Sequence, residues 1–282
     1  MRHRSLVVSL ALACAAALLL SACGVTLPFA AAPTKDPLAG IYIARGGGGA
    51  LDNVTPLITA FTKAHPGIVW QGMDDIGSDA GIKLVQSGDI DLSFISRTLK
   101  PAEVGTVESV PIGATGTGIA VNADNPVKGV SKDQLAKIFS GAVSDWSAVG
   151  GTPGPIHVLM REAGAATRTA LEAYCFGGKS PTYAKNTIEV VSYDEVLKSM
   201  RSFSGSIGIM SMSALAFAEP SIHMLAIDGV AATDQALTDG TYPMRRPLYF
   251  IYSHDPAKVK PAIRAFMDWV QGPQGQAILN SL

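Results

Sequence analysis

Gly77-Ser78-Asp79-Ala80-Gly81-Ile82-Lys83-Leu84-Val85-Gln86-Ser87-Gly88-Asp89-Ile90-Asp91-Leu92-Ser93-Phe94-Ile95-Ser96-Arg97 is the stretch around which the chain is organised. It reads as a turn, a short helix, a second turn and a strand. Ser78 stands where an N-cap is expected. Ile82, Leu84 and Val85 form an apolar side, and Gly88 ends the helix. Ile90, Leu92 and Phe94-Ile95 are nearly continuous in apolar character, as in a buried strand. The strand closes on Ser96 and Arg97, a hydroxyl and a fixed positive charge. A helix N-terminus with a hydroxyl, beside a strand-end arginine, suits an anion. The same residues also suit a plain capped helix and a surface arginine.

The pattern repeats on both sides. Gly40 to Ala44 reads as a strand and Arg45-Gly46-Gly47-Gly48-Gly49-Ala50 as a glycine loop. A helix through Pro56, Leu57, Ile58 and Phe61 follows, with Asp52 or Asn53 as its cap. Such glycines let backbone N–H groups come close to a ligand. The spacing is not that of a Walker loop and no Lys-Ser/Thr follows, which argues against a nucleotide. Ile156 to Met160 is a further strand, Arg161 to Thr167 its turn, and Arg168 to Phe176 the next helix. Alternating units of this kind predict an α/β fold with mainly parallel strands. Val107 to Val121 is expected to cross between two halves of the molecule, and Leu248 to Tyr252 to return.

The first residues form a targeting signal. Arg2, His3 and Arg4 precede an apolar run from Leu6 to Leu20, and Leu20-Ser21-Ala22-Cys23-Gly24 resembles a bacterial lipobox. Cys23 is therefore expected to carry lipid, residues 1–22 to be removed and residues 23–39, rich in proline and alanine, to act as a tether. The chain of 282 residues has 22 Lys+Arg and 23 Asp+Glu. Without Arg2 and Arg4 the remaining 260 residues carry 20 basic and 23 acidic groups, a net charge of −3. That balance speaks against nucleic acid or an anionic membrane surface as a partner. With Cys23 lipidated, Cys175 has no partner, so no disulfide is expected.

Taken together, these pieces resemble the phosphate-binding lipoproteins of phosphate ABC transporters, within the type II periplasmic-binding-protein fold. The resemblance is carried by Phe61-Thr62-Lys63-Ala64-His65-Pro66-Gly67, Gly77-Ser78 through Gly81-Ile82, and Asp91-Leu92 to Ser96-Arg97-Thr98-Leu99 with Glu103. It continues in Ile138-Phe139-Ser140-Gly141 to Trp146, Arg161-Glu162 through Thr167-Arg168, Ile207-Gly208, and Gly240-Thr241-Tyr242-Pro243 with Arg246-Pro247-Leu248-Tyr249. It implies two α/β lobes joined by two crossover strands, with residues 40–112 and 246–282 in lobe 1 and 113–245 in lobe 2. It further implies a small anion held between the lobes, phosphate by default, no catalysis and no cofactor. The ligand would be passed to an ABC permease by a monomeric, lipid-anchored protein outside the cytoplasm.

Residue by residue, the resemblance makes Ser78, Ser96, Arg97, Arg161 and Thr167 ligand-binding candidates, with backbone groups of Gly49, Ala50, Ala165 and Ala166. Two hydroxyls of the family pattern are missing, at Ala50 and Ala165, and Ile209-Met210 replaces an aromatic. Each lost donor to a charged ligand is expected to cost roughly 1.5–3 kcal/mol. A degenerate or re-purposed receptor of the same fold, binding another oxyanion or acting as a sensor, is the alternative. A surface hydrolase built on Asp74, Asp75 and Asp79 is a weaker one, because no histidine falls at ligand spacing. Asp75 is a candidate to orient Arg97 or to accept from a protonated ligand oxygen. Arg168 is expected to pair with Glu172, Arg246 to support the hinge, and Trp146, Trp269 and His157 to be packing residues.

Overall fold

The computed structural model describes residues 36–282. The leader, Cys23 and most of the tether lie outside the described residues. Eleven strands are described: β1 (Gly40–Gly46), β2 (Ile68–Asp75), β3 (Leu92–Ile95), β4 (Val107–Asn122), β5 (Gly129–Val130), β6 (His157–Arg161), β7 (Ile188–Val190), β8 (Ser206–Ser211), β9 (Ile222–Met224), β10 (Ala226–Ile227) and β11 (Arg245–Ser253). Around them lie α1 (Leu51–Ala64), α2 (Ser78–Ser87), α3 (Lys132–Phe139), α4 (Ala166–Phe176), α5 (Tyr193–Ser202), α6 (Ala214–Ala218), α7 (Asp234–Thr238), α8 (Pro261–Gln271) and α9 (Pro273–Leu279).

The main strands run in the order β2-β1-β3-β11-β4-β8-β6-β7, with β9 paired to β4. Within each half the strand–helix–strand units are parallel: β1 with β2 and β3, and β6 with β7 and β8. The centre departs from the expected parallel arrangement. There β11 is antiparallel to β3 and β4, and β4 is antiparallel to β8 and β9. The reason is topological: β4 leaves the first half and β11 returns to it, so the two must run in opposite directions. Gly116 of β4 still pairs with β11, while Thr117 already pairs with β8. One continuous backbone thus belongs to both halves.

Two separate cores flank that crossing. Leu57, Phe61, Phe94, Ile112, Phe250 and Phe266 lie in the core of the first half, which draws on both ends of the described chain. Ile119, Leu135, Phe139, Trp146, Val158 and Ile209 lie in that of the second. α8 owes its place to Ile263, Phe266, Met267 and Val270, spaced to face one side of a helix. Trp146 is buried and its ring N–H donates to Gly205 O at 2.9 Å. Trp269 is partly buried against the first core. His157 is only half-buried, its ring against Phe203 rather than enclosed in the core.

Two cap assignments differ from expectation. A short 3-10 turn at Gly48–Ala50 leads into α1, whose N-cap is Ala50. Asp52 is left to accept from Ala214 N–H at 2.9 Å, and Asn53 to donate to Ile112 O at 2.8 Å. The N-cap of α2 is Gly77 at φ 79°, a left-handed backbone suited to glycine, so Ser78 is the first helical residue.

β1 and β3 approach so closely that a Cβ on Gly46 would lie 2.0 Å from Phe94 O. Gly46→Ala is therefore expected to lower the unfolding free energy by at least about 2 kcal/mol in urea titration. A loss below about 0.5 kcal/mol, the scale of a neutral surface change, would contradict this packing.

Candidate functional site

Parallel strands with helices after them collect loop residues and helix N-termini at their carboxyl ends, where ligands of open α/β sheets bind. Here both halves direct those ends at one hollow. Gly47, Gly48 and Gly49 follow β1, Asp75 ends β2, Ser96 follows β3, Arg161 ends β6 and Ser211 ends β8. The first turns of α2 and α4 add Ser78, Ala166 and Thr167, and Arg246 enters from β11. The hollow is small: the centre of a water-sized sphere has about 20 Å³ in which to move.

The lining is polar and mostly buried. Ser78, Ser96, Arg161, Thr167 and Arg246 are all buried. Ser78 Oγ accepts from Ser96 N–H at 3.3 Å, which leaves its own proton free to donate. Thr167 Oγ1 is buried with no hydrogen-bond partner among the described residues. The glycines permit the tight wall, since a Cβ on Gly49 would meet Ser211 Oγ at 2.6 Å. α2 and α4 each turn a helix N-terminus, with its unpaired N–H groups and partial positive charge, toward this end of the molecule.

Asp75 and Arg161 face each other from the two halves. Asp75 Oδ1 accepts from Gly48 N–H at 2.8 Å and Gly77 N–H at 3.1 Å, while Oδ2 lies 3.3 Å from Arg161 Nη2. Arg161 also donates to Glu162 and to Val191 O. Burial works against its charge, but Glu162 and Asp75 outweigh burial and hold the guanidinium above its ordinary value. Arg246 is different. Burial, with the like charge of Arg161 and against the pull of Asp75, pushes it down to about 9, so it is still a cation at neutral pH.

The structure brings together seven of the nine residues expected at the ligand: Gly49, Ser78, Ser96, Arg161, Ala165, Ala166 and Thr167. Two lie elsewhere. The Arg97 guanidinium is turned to Asp79 and Glu103, with Nη2 at 2.6 Å from Asp79 Oδ1 and Nη1 at 2.8 Å from Glu103 Oε2. A further bond goes to Thr98 O. Two carboxylates next to the strand end outcompete the hollow for it. Ala50 is packed in the first core, and its N–H donates to Gly47 O. Conversely, Ser211 and Arg246 line the hollow although neither was expected to touch a ligand. Ser211 follows the Ile207-Gly208 pair at a strand end, where position alone marks it; the buried, unpaired state of Arg246 had no sequence signal.

The remaining candidates have partners. Asp74 pairs with Arg45, Asp75 with Arg161, and Asp79 with Arg97 and Lys100, so the carboxylates weighed for a hydrolase each face a cation. No group of three His, Cys, Asp or Glu is placed to hold a metal ion among the described residues. Arg168 pairs with Glu172 at 3.0 Å. Cys175 is half-buried against the second core, and burial pushes its thiol up to about 11, away from a reactive thiolate.

Residues 32–274 match the family model described as the PBP superfamily domain. The phosphate-binding protein PstS of Bacillus subtilis is 26% identical over 200 residues, covering 69% of this chain and 63% of that protein. PstS of Pseudomonas aeruginosa is 25% identical over 248 residues, covering 78% of this chain and 74% of that protein. Among solved structures, a candidate phosphate ABC transporter substrate-binding protein from Clostridium perfringens, with bound phosphate, superposes with a TM-score of 0.77. It is 25% identical and is covered to 97%, against 86% of this chain.

Two outcomes follow from the geometry. Arg97→Gln leaves Asp79 and Glu103 half-answered and is expected to cost about 2–4 kcal/mol at pH 7 in urea titration. Against the penalty of burial, Arg97 and Lys100 hold the Asp79 and Glu103 carboxyls below their ordinary values of 3.8 and 4.5. Their contribution is complete above those values and fades as pH falls through the lowered ones, so the gap between variant and wild type should narrow there. A gap that widens on acidification would contradict the pairing. Separately, Ala165 is the N-cap of α4 with no side-chain cap bond. Ala165→Ser is expected to raise stability by about 1 kcal/mol, read from the same titration; no gain would mean that the hydroxyl does not reach the helix end.

Proposed function

The chain belongs to the PBP superfamily, and from that premise we propose that it captures phosphate between its two lobes and delivers it to an ABC permease. The observation that carries this reading is the meeting, at one small hollow, of Arg161, the Ser78 and Ser96 hydroxyls, two helix N-termini and a partnerless Thr167 Oγ1. Every one of these groups has a proton to give, and a tetrahedral oxyanion has several acceptors to offer. The likeness to phosphate-binding relatives supports the same ligand.

Asp75 refines the choice of anion. Its Oδ2 lies at the edge of the hollow, where a fully deprotonated anion would meet a like charge. A protonated phosphate oxygen donates to that carboxylate instead. Inorganic phosphate carries at least one proton on every ion at neutral pH, because its last ionisation lies far above that pH; sulfate carries none. Lobe 1 comprises 40–112 and 246–282, and lobe 2 comprises 113–245. The lobes close by bending where β4 and β11 pass between the two cores. No chemistry is performed on the ligand. Lipid on Cys23, added after residues 1–22 are removed, tethers the globule outside the cytoplasm.

Isothermal titration of ligand-stripped protein at pH 7.5 tests this. Phosphate is expected to bind with a Kd of about 1 μM or tighter, the affinity of roughly 8 kcal/mol, and sulfate much more weakly. Arg161→Gln should weaken phosphate by about 100-fold or more, whereas Arg97→Gln should stay within about threefold, because its guanidinium faces away. Absence of phosphate binding, or an Arg161→Gln protein that binds as wild type does, would overturn the assignment.

A further inference from the structure

We infer that Arg246, acting through the hydroxyls of Ser96 and Ser211, supplies the second positive charge of the anion site. This deepens the phosphate reading and rests on it. Arg246 lies on β11 and is 3% exposed. Nη1 donates to Ser96 O and to Ser96 Oγ, and Nη2 to Gly116 O at 3.0 Å and Ser211 Oγ at 2.9 Å. All four acceptors are neutral. Nε is buried without a partner. Arg45, Arg97, Arg161 and Arg168 each form an ion pair with a carboxylate; no described ion pair falls on Arg246.

A buried charge without a counter-charge is unfavourable even when its hydrogen bonds are made. The hollow is where the counter-charge can enter, because Arg246 lines it. The serines make the connection. A hydroxyl has one proton and two lone pairs. When Arg246 occupies a lone pair on Ser96 Oγ and one on Ser211 Oγ, each proton must point elsewhere, and both oxygens line the same hollow. The guanidinium therefore sets two hydroxyls as donors and polarises both. Ser96 follows β3 in one half and Ser211 ends β8 in the other, so the clamp takes one donor from each side of the cleft. Ser211 thereby adds one hydroxyl to a site in which the family's two, at Ala50 and Ala165, are missing.

A purely structural clamp needs donors but not charge, and the two roles separate by titration. The probe is inorganic phosphate at pH 7.5, with folding of each variant checked by circular dichroism and thermal denaturation. Ser211→Ala and Ser96→Ala are each expected to weaken binding by about 10-fold or more. Arg246→Gln is expected to weaken it by about 100-fold or more, and Arg246→Lys, which keeps the charge but not the fork, to fall between Gln and wild type. Should Arg246→Gln fail to fold, the serine variants decide. Both serine variants binding within about threefold of wild type, or Lys rescuing nothing over Gln, overturns the role of Arg246 while leaving the Arg161-dependent phosphate site intact. Wild type that binds no phosphate removes both readings at once.

Discussion

A guanidinium taken out of water needs something negative beside it, or the fold holds it at a loss. Arg246 sits at the meeting point of both crossings and both halves, hydrogen-bonded only to neutral oxygens. Around it are hydroxyl protons, helix N-termini and a second arginine, which is paired with Asp75 and Glu162. The hollow is therefore rich in hydrogen-bond donors, with one buried arginine that has no ion-pair partner among the described residues. A group that satisfied those donors would be small, negative and rich in acceptor oxygens, as the proposed ligand is.

The path from sequence to this hollow runs through the strands. Apolar runs pair into parallel units, parallel units leave their loops at the carboxyl ends, and β4 carries one backbone from the first core into the second. Residues far apart in the chain meet because of that. Ser96 and Arg246 are brought within hydrogen-bond distance by the pairing of β11 with β3 and β4. Bonds that span the cleft, Arg161 to Asp75 and Ala214 N–H to Asp52, are the ones a bending motion at the crossing would change.

Much of this was legible in the chain. Glycine turns between apolar runs and helices marked three strand–turn–helix units, and Ser78, Ser96, Arg161 and Thr167 reach the hollow from the expected turns and strand ends. What failed to show were decisions made by neighbours in space. Arg97 looked available at its strand end, but Asp79 lies eighteen positions away in sequence and binds it in the fold. Arg246 looked like a hinge support because nothing in its local sequence announces that no carboxylate will form an ion pair with it. The antiparallel centre was likewise hidden, because alternating strand and helix patterns describe the units and not the crossings that join them.

The central claim is that the hollow between Ser78, Arg161 and Thr167 is the seat of a tetrahedral oxyanion. Arsenate, which has the shape and protons of phosphate, makes that visible. Anomalous diffraction at the arsenic edge from ligand-stripped crystals soaked in arsenate should give one strong peak there, with oxygens about 3 Å from those three side chains. Soaks that leave the hollow empty, or that place arsenic only elsewhere on the molecule, would contradict the account.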